Sequence, residues 1–120
     1  MKKVLNTLVV FFALTAAAFA QDVKTVTLEQ TKGEFTVKEL KLSEGTYVFN
    51  IANVGVDHEV GFVLAPEGKT DAAHHIKEAY VKKTVATGTT GSTKEVALSK
   101  GTYTYFCPLN PTPQYKLIVE

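Results

Sequence analysis

From residue 23 onward the chain is a series of short apolar runs separated by turn residues. The runs are rich in Val, Thr, Tyr and Phe. Gly, Asn, Ser and Pro stand between them, which is the pattern of an antiparallel sandwich or barrel. Val23 to Glu29 predicts a first strand. Glu34 to Leu42 predicts a second, with Phe35, Val37, Leu40 and Leu42 as its apolar members. The step from Val37 to Leu40 breaks alternation and predicts a bulge. Tyr47, Phe49 and Ile51 alternate through Thr46 to Ala52, and Glu59 to Leu64 is another apolar run. Thr87 to Ser92 reads as a Gly/Thr/Ser turn region. Three further strands are expected over Thr93 to Leu98, Thr102 to Cys107 and Tyr115 to Val119.

One segment has a different period. Across Asp71 to Lys83, Ala72, Ile76, Ala79 and Tyr80 (or Val81) would share one face of a helix. Thr70 or Asp71 suits its N-cap, and Lys82-Lys83 suits its C-terminus. One short helix inserted between strands is therefore expected over about 71–83.

A local echo points to two similar halves. Leu42-Ser43-Glu44-Gly45-Thr46-Tyr47 matches Leu98-Ser99-Lys100-Gly101-Thr102-Tyr103. Each copy is a strand end, a tight turn with Gly, and a new strand opening on Thr-Tyr. Glycine supplies the positive φ such a turn needs. One hairpin solution used twice accounts for the echo, and a two-sheet Greek-key sandwich would use it once in each half.

The first twenty residues follow another logic. Met1-Lys2-Lys3 is basic, Val4 to Ala17 is apolar apart from Asn6, Thr7 and Thr15, and Ala18-Phe19-Ala20 is a small-x-small site. That order is a secretory signal peptide. The apolar run is too short for a comfortable membrane span. Residues 1–20 are thus expected to be a signal peptide cleaved near Ala20-Gln21, and 21–120 a single domain. An uncleaved anchor is the alternative. The expected location is periplasmic or secreted, with no stable membrane insertion after cleavage.

Charge narrows the partners. The loss of Lys2 and Lys3 leaves 11 Lys against 12 acids, and the chain has no Arg. Such a surface has no electrostatic footprint for nucleic acid. Cys107 is the only cysteine. In an exported protein an unpaired Cys is intermolecular, a buried free thiol or a metal ligand.

Two segments carry candidate chemistry. One is Asn50-Ile-Ala-Asn53-Val-Gly55-Val-Asp57-His58-Glu59-Val60. The other is Gly101-Thr-Tyr-Thr-Tyr105-Phe106-Cys107-Pro108. Here the chain resembles the cupredoxins, the plastocyanin- and pseudoazurin-like blue copper proteins. In that family a strand ends in Asn, a Gly-containing loop follows, and a His opens the next strand as the first copper ligand. A Gly-x-Tyr-x-Tyr-x-Cys strand near the C-terminus delivers the thiolate. The resemblance runs through nearly all of the domain. It implies an all-β Greek-key sandwich, with His58 and Cys107 as metal ligands. Thiolate and imidazole suit copper, and a rigid sandwich would limit reorganisation when copper changes charge.

The chain also departs from the family. A second His is expected three residues after the Cys and an axial Met eight residues after it; Asn110 and Tyr115 stand there. No His follows Cys107, and the domain has no Met. His74 or His75, Asn110 or Tyr115 are the candidates for a third ligand. Asn110-Pro111-Thr112-Pro113 is also simply a rigid turn, because proline fixes φ and removes a donor.

The resemblance implies a monomeric, exported copper protein for electron transfer or copper handling, with a redox or metal-delivery protein as partner. A copper-free cupredoxin-fold binding module of the cell envelope is the alternative, and a zinc or Cu⁺ site a third. A nucleophilic Cys–His pair lacks a third orienting group at any recognisable spacing, so no enzyme is expected.

Overall fold

A computed structural model of the protein describes residues 22–120. The expected signal peptide at residues 1–20 lies outside the described residues.

Among the described residues, nine strands form two sheets. They are β1 (Val23–Thr31), β2 (Glu34–Phe35), β3 (Glu39–Leu42), β4 (Gly45–Asn53), β5 (Val63–Pro66), β6 (Thr90–Ser92), β7 (Val96–Leu98), β8 (Gly101–Phe106) and β9 (Tyr115–Val119). One sheet runs β2-β1-β4-β6, with β7 also on β4; the other runs β3-β9-β8-β5. β1 pairs parallel to β4 and β3 parallel to β9, while the remaining pairs are antiparallel. The expected all-β sandwich is present.

Alternation along the strands builds the core. In β4 the inward positions are Tyr47, Phe49, Ile51 and Asn53, all buried. From β1 come Leu28 and Gln30, and from the other sheet come Leu64, Tyr105 and Leu117. Phe35 meets Tyr105 edge to face at 5.2 Å, and Phe49 stacks tilted on Phe62 at 5.3 Å. Each such ring pair adds about 0.5–1.5 kcal/mol to the area it buries.

The echo survives as geometry. Gly45 and Gly101 take nearly the same positive φ, 159° and 153°. The Tyr47 hydroxyl donates to the Ser43 carbonyl and the Tyr103 hydroxyl to the Ser99 carbonyl, each at 2.8 Å. Neither copy is the hairpin expected: each turn crosses between the sheets, from β3 to β4 in the first copy and from β7 to β8 in the second, and the strands it joins do not pair.

Several expectations change. The single strand over Glu34 to Leu42 is two strands in two sheets, and the break at Thr36–Lys38 is the crossover between them. The Tyr105 hydroxyl holds that crossover by donating to the Val37 carbonyl at 2.7 Å. The turn region before Thr93 contains β6, which pairs with Asn50–Ala52 of β4.

The helix expected over 71–83 is two single 3-10 turns, Ala72–His74 and Lys77–Ala79. Ile76 breaks the helical path, with φ −79° and ψ 103°. Its N–H donates to the Leu64 carbonyl at 2.8 Å, outside the segment. A helix of about a dozen residues is marginal by itself, and this bond to the β5 edge competes with it. Ala79 still turns into the core, but Ala72 and Tyr80 are exposed.

Candidate functional site

Cys107 lies just past the end of β8 and is fully buried. Its Sγ accepts the backbone N–H of Gly61 and that of Asn110, each at 3.3 Å. Thr112 closes the loop after it. The Cys107 N–H donates to Thr112 Oγ1 at 2.9 Å, and the Thr112 N–H donates to the Cys107 carbonyl at 3.2 Å. The prolines at 108, 111 and 113 further restrict this loop.

Asn110 faces inward, with 2% of its surface exposed. Its Nδ2 donates to Gln30 Oε1 at 3.0 Å and to the Thr31 carbonyl at 2.9 Å. Its Oδ1 accepts the Gly33 N–H at 2.7 Å. Gln30 in turn donates from Nε2 to the Gly61 carbonyl at 2.7 Å. Three segments meet here: the Cys107 loop, the β1–β2 turn and the β4–β5 loop. Gln30 is the member that motif reading missed. Its signal was the period of two in β1, which sets it on the same face as Leu28.

His58 occupies a different environment. It is exposed, its Nδ1 lies 2.9 Å from the Glu59 carbonyl, and its own carbonyl accepts from Asn53 Nδ2 at 2.9 Å. Asn53 is buried; it also donates to the Val85 carbonyl and accepts the Val56 N–H. The Asn that ends β4 thus shapes the loop leading to His58. Gly61 is the residue of that loop which reaches Cys107, and the side chains flanking it, Val60 and Phe62, are buried and apolar.

The other candidate ligands are engaged. His74 is exposed, with Nδ1 at 2.9 Å from the Asp71 carboxylate, which that bond holds below the ordinary carboxylate range. His75 is half-buried. Its Nδ1 sits 2.8 Å from the Tyr80 hydroxyl and its Nε2 lies 2.9 Å from the Thr70 carbonyl. A carbonyl only accepts, so Nε2 carries a proton. Its ring meets Phe106, next to Cys107, edge to face at 6.0 Å. The Tyr115 hydroxyl accepts the Phe35 N–H at 3.3 Å.

A blue copper centre takes two His nitrogens and a thiolate in a trigonal set. Among the described residues no three of His, Cys, Asp or Glu come close enough together to hold a metal ion. Both nitrogens of His75, the whole amide of Asn110 and the phenol oxygen of Tyr115 are engaged within the protein. The donor set therefore does not fit that centre.

Comparison with known proteins agrees with the fold. Auracyanin A, a "blue" copper protein from Chloroflexus aurantiacus, aligns at 17% identity with a TM-score of 0.65, covering 82% of this chain and 99% of that one. An auracyanin from Roseiflexus castenholzii aligns at 14% identity and a TM-score of 0.61, over 80% of this chain and 96% of that one. Amicyanin from Paracoccus versutus aligns at 15% and 0.51, over 80% and 81%. No match is found among the curated proteins. The family model for the cupredoxin-like domain matches residues 4–119. With that match across almost its whole length, the chain belongs to the cupredoxin-like domain family.

Proposed function

We propose that this chain is an exported cupredoxin-fold binding module that works without a blue copper centre. The observation that carries this is the commitment of Asn110. At the place where the resemblance calls for a second His, both polar atoms of its side chain are bound to Gly33, Gln30 and Thr31. Turning that amide toward a metal would strip buried partners of their hydrogen bonds, at about 1–3 kcal/mol for each group left unsatisfied. The basic start, apolar run and Ala18-Phe19-Ala20 site support export to the periplasm or beyond. No helix among the described residues is long and apolar enough to cross a membrane.

A second reading has its own support. Hydrogen bonding around a cysteine sulfur is one of the features that tunes a copper–thiolate site, and Cys107 Sγ accepts two N–H groups. Under that reading Cys107 and His58 hold Cu⁺ or Zn²⁺ for delivery to a protein partner.

Metal loading separates the two. Wild type, Cys107→Ala and His58→Ala are incubated with Cu²⁺, Cu⁺ and Zn²⁺, desalted, and assayed for metal content, visible absorption and melting temperature. The module reading expects no retained metal and an unmoved melting temperature, because a ligand that binds only the folded state must raise it. Stoichiometric colourless metal, lost in both variants, establishes the delivery reading instead. Copper with the intense visible band of a copper–thiolate centre overturns the proposal.

A further inference from the structure

β1 is covered on one side and mostly open on the other. β4 pairs with it from Val23 to Gln30. On the opposite side β2 reaches only Gln30 and Thr31. Two bonds show which residues face which side. The Gln30 carbonyl accepts the Val54 N–H, just past the end of β4, and the Glu29 carbonyl accepts the Thr36 N–H, just past the end of β2. Successive residues of a strand turn their backbone groups to opposite edges. Even-numbered residues of β1 therefore bond to β4, and odd-numbered ones point away from it. Glu29 and Thr31 are served by β2 and the residue after it. Val23, Thr25 and Thr27 are not, and among the described residues their backbone groups have no partner.

The usual guards of an open edge are missing from this stretch. Val23 to Glu29 contains no Pro, and its register with β4 runs without a bulge. Lys24 does not guard the edge either. Its Nζ lies 6.0 Å from the centre of the Tyr47 ring, its neighbour on β4, so the charge turns away from the open side. Val and Thr favour extended backbone.

We infer that two copies of this chain pair antiparallel through this edge, about a two-fold axis at Thr25. The open groups choose both the partner and the register. Val23 faces Thr27 of the second copy, Thr25 faces Thr25, and Thr27 faces Val23. Each pair exchanges two hydrogen bonds, so every open group is used and the seam ends where β2 begins. Moving the axis to Val26 or Thr27 would set Val23 or Thr25 against Glu29, whose carbonyl already accepts Thr36. A second copy is open over the same residues and blocked at the same end, so both edges are satisfied at once. The outer face of the seam holds only Val and Thr, which make favourable cross-strand pairs. On the inner face Lys24 comes opposite the half-buried Val26 of the second copy, which its aliphatic stem covers. The two Lys24 side chains are diagonal neighbours, each turned toward its own Tyr47. The inference replaces the monomer that the resemblance implies, and it goes beyond the binding-module reading without depending on it.

Sedimentation equilibrium of the purified protein over a concentration series tests it. The expected result is a reversible monomer–dimer equilibrium. Thr25 is exposed, so Thr25→Lys and Thr25→Glu leave the core untouched. Each sets two like charges directly opposite across the axis. Either variant alone should dimerise at least tenfold more weakly than wild type, and an equal mixture of the two should dimerise again. Amide hydrogen exchange at Thr25 and Thr27 should slow as concentration rises. A wild type still monomeric at about 1 mM overturns the inference. So does a dimer that both variants retain, or a mixture that fails to recover, since either puts the contact elsewhere. Circular dichroism and melting temperature confirm that each variant is folded. Metal uptake in the loading experiment would strike the module reading and leave the dimer standing.

Discussion

Asn110 donates its side-chain amide to Gln30 Oε1 across 3.0 Å, joining residues 80 apart in the chain, both buried. Gln30 carries the connection on to the Gly61 carbonyl, and Gly61 returns its N–H to Cys107 Sγ. A closed set of hydrogen bonds thus cross-links the loops at this end of the sandwich. In a metal centre the ion would provide that cross-link.

Asn110→Ala should therefore be among the most destabilising changes at this end. It removes the partner of the Gly33 N–H and one partner each of Gln30 Oε1 and the Thr31 carbonyl. One to two groups left unsatisfied at about 1–3 kcal/mol each give a loss of about 1–6 kcal/mol. Urea unfolding should show a lower midpoint with an unchanged slope. Asn110→His should be destabilised as well, since an imidazole cannot reproduce an acceptor and a two-proton donor together. A variant as stable as wild type would show that the network adds nothing.

The sandwich was legible because its signal is local. Alternation through Tyr47, Phe49 and Ile51 identifies a half-buried strand without reference to any partner, and the paired Leu-Ser-x-Gly-Thr-Tyr segments show that two turns are alike. What could not be read depends on contacts between distant residues. The irregularity between Val37 and Leu40 fits a bulge as well as a change of sheet, and only the pairing of β3 with β9 separates them. Asp71 to Lys83 has a helical period, yet the Ile76 N–H bonds to Leu64. At the candidate site, His58 and Cys107 stood out by residue type. The commitment of Asn110 to Gln30 stayed hidden because it joins opposite ends of the chain.

Gly91 in β6 lies in close packing that residue type alone does not reveal. A Cβ built there would fall 2.8 Å from Val85 Cγ2 and 3.5 Å from the Lys83 carbonyl. Gly91→Ala should cost about 1–3 kcal/mol through overpacking. Val85→Ala removes the obstructing methyl and leaves a small cavity in its place. The double variant should recover part of the loss, giving a favourable coupling in a double-mutant cycle of thermal or urea unfolding. Strict additivity would mean that the clash lies with the Lys83 backbone.

The Tyr105 phenol supplies a pH-dependent prediction. It is fully buried and donates to the Val37 carbonyl, and its pKa is pushed up to about 12, first by burial and then by the nearby Tyr115 and Glu39. In the unfolded chain a tyrosine titrates near pH 10. Above that pH the unfolded state gives up a proton that the native state keeps, so stability must fall as pH rises. The contribution is complete below about pH 10 and is lost on the way up through about 12. Lysines titrate in the same window, so the test is a comparison with Tyr105→Phe. Wild type should lose more stability than the variant between pH 9 and 12 in matched urea titrations. Parallel curves for the two proteins would mean that Tyr105 ionises in the native state as readily as in the unfolded chain.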